Sequence, residues 1–158
     1  MREVKERFTA ELSRDALWNF VRDINAWAPM LKGYQSHEII NERESFWLIK
    51  GEFASFSRVT RFHVHITEWI EGERLAFTLK GVNESVDACG RVELKDLESG
   101  TGTEIAAEMG YEIGGVLGVI LNRLVEPWVK SIAKDLLENI VCAVGSAEPQ
   151  TSNLSHHI

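Results

Sequence analysis

The chain is poor in the features that would place it in a class at a glance. Its 158 residues include two cysteines, Cys89 and Cys142, too few for a disulfide framework; the expectation is a reduced, cytoplasmic protein. Three prolines and twelve glycines exclude collagen-like and proline-rich chains. No apolar run nears the roughly 18 residues of a membrane-spanning helix. The N-terminus, Met1-Arg2-Glu3-Val4-Lys5-Glu6, is charged where a secretory signal would be apolar. Basic character is missing too. With a net charge of −7 and no basic stripe, the attraction to phosphate backbones on which nucleic-acid binding rests is absent. There is no internal repeat and no sign of a second domain.

What remains is ordinary in bulk: 44% hydrophobic and 26% charged residues, enough for one packed core of about 100–200 residues. Five tryptophans and seven phenylalanines stand out. Residues 2–11 alternate as a strand, with Val4, Phe8 and Ala10 on one face. Ser13 is a helix N-cap with Asp15 in the first turn, followed by Leu17, Phe20 and Val21 at helical spacing. A second short helix starts at Asp23 and is expected to stop at Pro29, because the residue before a proline avoids the α region. From Tyr34 to Ile113 the period changes to two. Strands are expected at 34–41 and 44–52 around a tight turn at 41–43, then at 58–70 with Thr60, Phe62, Val64, Ile66 and Ile70 inward. Leu75, Phe77 and Leu79 continue the series, then Val86 to Leu94, then Ile105 to Ile113. Short turns between consecutive strands imply an antiparallel meander.

A long helix follows, over about 116–144, with Gly145 as its stop. Leu117, Leu121, Leu124, Val125, Trp128 and Ile132 form its first apolar stripe. After Pro127 the stripe rotates to Ala133, Leu136, Leu137, Ile140, Val141 and Val144. Residues 1–145 are expected to form one domain and 146–158 a polar, disordered tail. The order strand, two short helices, six strands and one long helix implies an α+β fold, a twisted antiparallel sheet with the helix on its concave face. A curved sheet cannot touch a straight cylinder everywhere, so the interface holds either bulky side chains or a cavity.

This order of elements resembles the helix-grip fold of the START, polyketide-cyclase and birch-pollen-allergen superfamily. Within it the chain looks most like the G subunit found with aerobic carbon monoxide dehydrogenases. The resemblance is carried by Leu17-Trp18-Asn19-Phe20-Val21-Arg22-Asp23, by residues 27–33, by Gly102-Thr103-Glu104-Ile105 onward to Gly118, by Asn122-Arg123-Leu124, and by Asp135-Leu136-Leu137-Glu138-Asn139-Ile140. It departs at Lys32-Gly33, where G subunits usually show Pro-Gly. It departs again in its short polar tail, where some G subunits carry an extension proposed to meet membrane; membrane anchoring is therefore not expected. The resemblance implies about seven strands wrapped around the C-terminal helix, with a cavity for a lipid, quinone, sterol or aromatic compound. It also implies an accessory role beside a redox enzyme; no cofactor is expected.

The aromatic set Trp18, Trp27, Tyr34, Trp47, Phe53, Phe56, Phe62, Phe77 and Trp128 supplies either a filled core or cavity walls. The expected ligand-binding residues are Trp27, Tyr34, Trp47, Phe62, Phe77, Tyr111, Leu121, Leu124 and Trp128. Met30 and Leu31, read as exposed, together with Gly114 and Gly115 are the expected entrance, with Met30 and Leu31 as a lid or a patch that meets a membrane or a partner. The rival reading is an enzyme of the cyclase or dehydratase type, with Glu6, Glu68 or Tyr34 carrying protons; a third is an interaction module with a filled core. His63 and His65 share a strand face, but it is the solvent face, so a metal is not expected there. His37 reads as isolated. Gly114-Gly115-Val116-Leu117-Gly118 lacks the lysine and hydroxyl of a phosphate loop, and no nucleophile motif surrounds either cysteine.

Overall fold

A computed structural model describes residues 1–53 and 55–147. The expected order is present: β1 (Arg2–Ala10), α1 (Arg14–Val21), α2 (Ile24–Trp27), β2 (Tyr34–Ile39), β3 (Glu44–Phe53), β4 (Phe56–Ile70), β5 (Arg74–Gly81), β6 (Val86–Asp96), β7 (Thr103–Ile113) and α3 (Gly118–Ala147). The seven strands form one antiparallel sheet in the order β1-β7-β6-β5-β4-β3-β2. Six of them are a plain meander. β1 closes the far edge by pairing with β7, so α1 and α2 cross from one edge strand to the other. The curved sheet wraps α3, which packs chiefly on β1 and β7.

Local chemistry explains the ends of these elements. Ser13 Oγ accepts from the Ala16 amide at 3.1 Å, and Asp23 caps α2 through the Asn25 amide, each satisfying an orphan donor of a first turn. Asn41 Oδ1 accepts from both the Arg43 and Glu44 amides at 2.9 Å, which fixes the β2–β3 turn. Gly33 is obligatory: its φ is +86°, and a Cβ there would lie 2.1 Å from the Lys50 carbonyl oxygen.

Four expectations need correction. Pro29 does not stop a helix by forcing its neighbour out of the α region; Ala28 is helical and Ala28–Met30 forms a 3-10 turn with the proline near its start, where a missing N–H costs nothing. Ile70 is 37% exposed, because a bulge between Ile66 and Glu68 inverts the parity of the strand and turns Trp69 inward in its place. Gly145 does not end α3, which continues to Ala147. Met30 and Leu31 are half-buried and packed on the core, not an exposed lid. The expected tail falls mainly on residues 148–158, which lie outside the described residues, as do the side chains of Phe53 and Phe56.

The buried apolar residues divide into two groups. The larger contains Leu17, Trp18, Trp27, Trp47, Phe62, Leu75, Ile105, Leu137 and Ile140. The smaller holds Val4, Tyr111, Val125, Val129 and Ala133, between β1, β7 and the first half of α3.

Candidate functional site

Residues of both groups line a single cavity of about 260 Å³ between the sheet and α3. Its origin is a matter of side-chain size. The inner faces of β6 and β7 carry Ala88, Gly90 and Ala107 opposite the helix, and these are too small to reach it. Packed interiors normally leave few voids larger than a water molecule, so an absence of bulk at successive inward positions makes a chamber. Phe77 fills part of it. Its ring lies over Gly90, where a Cβ would come within 2.7 Å of the ring carbons.

Seven of the nine expected residues line this chamber: Trp27, Trp47, Phe62, Phe77, Tyr111, Leu121 and Trp128. Trp27, Trp47 and Phe77 form an aromatic wall with ring centroids 5.6, 5.7 and 6.5 Å apart. The indole N–H groups of the two tryptophans are spent elsewhere, Trp27 on the Val21 carbonyl at 2.7 Å and Trp47 on Ser45 Oγ at 2.8 Å. What they offer the chamber is hydrocarbon. The Tyr111 hydroxyl donates to the Asn122 carbonyl at 3.0 Å, and burial raises its pKa above the ordinary 10.0, so it remains a neutral phenol that anchors α3.

Leu124 and Tyr34 do not belong to the wall. Leu124 is 40% exposed, because the inward stripe of α3 runs through Leu121, Val125, Trp128, Val129, Ile132 and Leu136, which keeps the expected Leu121, Val125, Trp128 and Ile132 and leaves Leu124 at its edge. Tyr34 instead enters a polar chain. Its hydroxyl lies 2.5 Å from His37 Nδ1, and His37 Nε2 lies 2.7 Å from Asn25 Oδ1. Since Asn25 Oδ1 can only accept, His37 donates from Nε2 and accepts the hydrogen bond of the Tyr34 hydroxyl at Nδ1. His37 is therefore not isolated; a bulge between Tyr34 and Ser36 brings it inward beside Trp47.

The expected proton carriers of the rival reading are also elsewhere. Glu68 pairs with Arg74 at 3.0 Å, and neither Glu6 nor Glu68 lines the chamber. On the outer sheet face His63 pairs with Glu44 at 3.3 Å. Among the described residues no group of three or more His, Cys, Asp or Glu side chains is placed to hold a metal ion.

The chamber opens at one end of the sheet. Its mouth is bordered by Leu31 and Lys32, by Gly51, Ser57 and Arg58 of the β3–β4 hairpin, by Glu84 of the β5–β6 turn, and by Ile113 and Leu117. Arg58 and Glu84 form an ion pair there, and Lys32 Nζ donates to Ser131 Oγ of α3 at 3.3 Å. Of the expected entrance residues Leu31 borders the mouth, whereas Met30, Gly114 and Gly115 do not. Sequence reading did not count Ala88, Gly90, Ala107 or Val129 among the site residues; for the first three the available signal was a run of small residues at inward positions of adjacent strands.

A family model matches residues 1–143. The structure is similar to a conserved protein of Geobacillus kaustophilus (16% identity, 92% of this chain and 97% of that one, TM-score 0.78). It is similar also to the di-domain ARO/CYC StfQ of the steffimycin biosynthetic pathway (9% identity, 92% of this chain and 50% of that one, TM-score 0.66). A third likeness is to Ara h 8.0201 (14% identity, 89% and 98%, TM-score 0.59). The chain has the helix-grip fold. At these identities the structural likenesses establish its helix-grip fold and leave its activity to be argued from the chamber. No curated protein sequence matches the chain. Among the described residues no helix is long and apolar enough to cross a membrane.

Proposed function

We propose that the protein binds and carries a hydrophobic small molecule in the chamber between its sheet and α3. One observation carries the reading: a 260 Å³ void walled chiefly by aromatic and aliphatic side chains, with Thr60 among them and the polar atoms of Trp27, Trp47 and Tyr111 engaged elsewhere. Burying apolar ligand surface there supplies roughly 25 cal/mol per Å², and the Arg58–Glu84 pair and Lys32 at the mouth orient a polar end. The volume sits just below the roughly 300–1,000 Å³ of drug-sized sites. It suits a compound with one or two rings, such as the head of a quinone, better than a whole lipid. Glu6, Glu68 and Tyr34 all lie away from the chamber wall, and the two carboxylate residues that border it, Glu84 and Glu108, are ion-paired with Arg58 and with Lys5 and Arg91, which favours carriage over acid–base chemistry on the ligand.

The finer reading is an accessory to a cytoplasmic redox enzyme of the carbon monoxide dehydrogenase type. The similarity of residues 17–23, 102–118 and 135–140 to the G subunits of those enzymes supports it. Native mass spectrometry of gently purified protein, with organic extraction, tests the carrier reading. A single co-purifying apolar compound is expected, or a thermal shift with 1,4-naphthoquinone. A clean apo mass with no shift across quinones and aromatic compounds overturns it.

A further inference from the structure

Eleven large apolar side chains are exposed among the described residues, and five of them, Val116, Leu117, Val119, Ile120 and Leu124, fall within nine positions at the start of α3. The exposure is extreme: 97% for Val116 and 79% for Val119. From Gly114 to Leu121 no side chain carries a polar atom. This patch is continuous with the chamber, since Leu117 and Leu121 line it and Ile113 borders its mouth. It is also held firmly. Asn122 Oδ1 accepts from the Ile113 amide at 2.9 Å, and its Nδ2 donates to the Ile113 and Gly118 carbonyls at 3.1 and 2.6 Å. The protruding turn is thus fixed to the end of β7, not loose.

We propose that this turn is a docking surface for a lipid bilayer, which inserts Val116, Val119 and Ile120 among the acyl chains and sets the chamber mouth against the membrane. The inference rests on the carrier reading and names the source of the ligand. Three observations favour a bilayer over a protein partner. Five exposed side chains are far fewer than the roughly 20–30 residues a side of a stable protein interface. A patch with no polar side chain has little to offer the hydrogen bonds that protein interfaces contain, whereas acyl chains ask for none. Finally, whatever covers Leu117 also covers the mouth, and an apolar ligand moving from a bilayer would then never cross water. Two helical turns match the ~5–10 Å depth of interfacial helices. Arg123, exposed directly after the run, has the reach to keep its guanidinium among headgroups.

Flotation of the full chain with phosphatidylcholine vesicles tests the proposal, beside a variant carrying Val119→Glu and Ile120→Glu. Both positions are well exposed, so the variant is expected to fold; circular dichroism and quenching of tryptophan fluorescence by 1,4-naphthoquinone check this. The wild type should float, unaffected by raising salt from about 0.1 to 1 M, and the variant's partitioning should fall by more than about tenfold with quenching unchanged. Wild-type protein that stays behind as a monomer overturns the inference. So does wild-type protein that stays behind as a dimer and that the variant dissociates, since the patch would then join two copies. Flotation lost in the variant, with no quenching in either protein, supports the docking surface while removing the carrier reading.

Discussion

The two ends of α3 are built from the same kinds of side chain and do opposite things. From Leu137 to Val144 the helix is sealed: Leu137 and Ile140 are fully buried, with Leu17, Trp18 and Val21 of α1 in the same core cluster. From Gly118 to Trp128 one side of the helix borders a void and the other presents leucine, isoleucine and valine to solvent. The difference lies in what each half faces. The C-terminal half shares its core cluster with α1 and with Leu75 and Ile105, whereas the N-terminal half borders the chamber, whose lining includes the small Ala88 and Gly90. Hydrophobicity alone does not say whether a helix is packed; the volume of the opposing face does.

The sharpest test pairs two leucines of one helix. Leu137→Ala empties a fully buried site and should cost about 2–5 kcal/mol in urea unfolding. Leu124→Ala, at 40% exposure, should stay within about 0.5 kcal/mol. Equal losses would abolish the contrast between the two ends. Next in size is the latch of the open end. Asn122→Ala strips the Ile113 peptide and the Gly118 carbonyl of their partners, which should cost about 1–3 kcal/mol. It should also speed hydrogen exchange in the first turns of α3 ahead of the second half. Uniform acceleration along the helix would show that Asn122 supports the whole fold and not one end.

A smaller effect probes the void itself. In a filled core Gly90→Ala would be overpacked and cost about 1–3 kcal/mol, because the new Cβ lies 2.7 Å from the Phe77 ring. With a chamber above it the ring can move toward α3, so the loss should stay below about 1 kcal/mol while naphthoquinone quenching weakens. A large stability loss would mean that the chamber cannot yield space.

Much of this was legible in the sequence, and the exceptions share a cause. Period-two alternation located every strand, and Ser13 and Asp23 marked both short helices through the hydrogen bonds they make. The failures at Ile70 and His37 both follow bulges, in β4 and β2. One extra residue inverts inward and outward downstream, and no local signal in Thr67 or Gln35 announces it. Leu124 failed differently. The helical stripe it borders was read correctly, but the edge of a stripe is set by which strands lie beneath it. Gly90 was readable as inward but not as a floor, because its meaning depends on Phe77 across the β5–β6 pair.

The smallest expected effect belongs to the closed end, and it is a pH effect. Glu71, in the β4–β5 turn, accepts from Trp18 Nε1 at 2.8 Å through Oε1 and from Trp69 Nε1 at 2.8 Å through Oε2, and it pairs with Arg22 at 2.9 Å. These donors, that of Trp69 foremost, hold its carboxyl below the ordinary 4.5. A carboxylate with a depressed pKa stabilises the fold above its unfolded value, and that contribution is lost as pH falls through the lower folded value. Glu71→Gln cannot carry the charge, so it should be slightly less stable than the wild type at neutral pH and equal to it once Glu71 is protonated. Glu44 and Glu108 are also held low, so both proteins should weaken in acid; the gap between their unfolding curves is the readout. The fluorescence of the Trp18–Trp69 pair, whose rings meet edge to face at 5.8 Å, should change over the same range only in the wild type. A gap that persists at low pH would mean that the carboxamide geometry, not the charge, joins α1 to the sheet. The closed end would then owe its seal to packing alone.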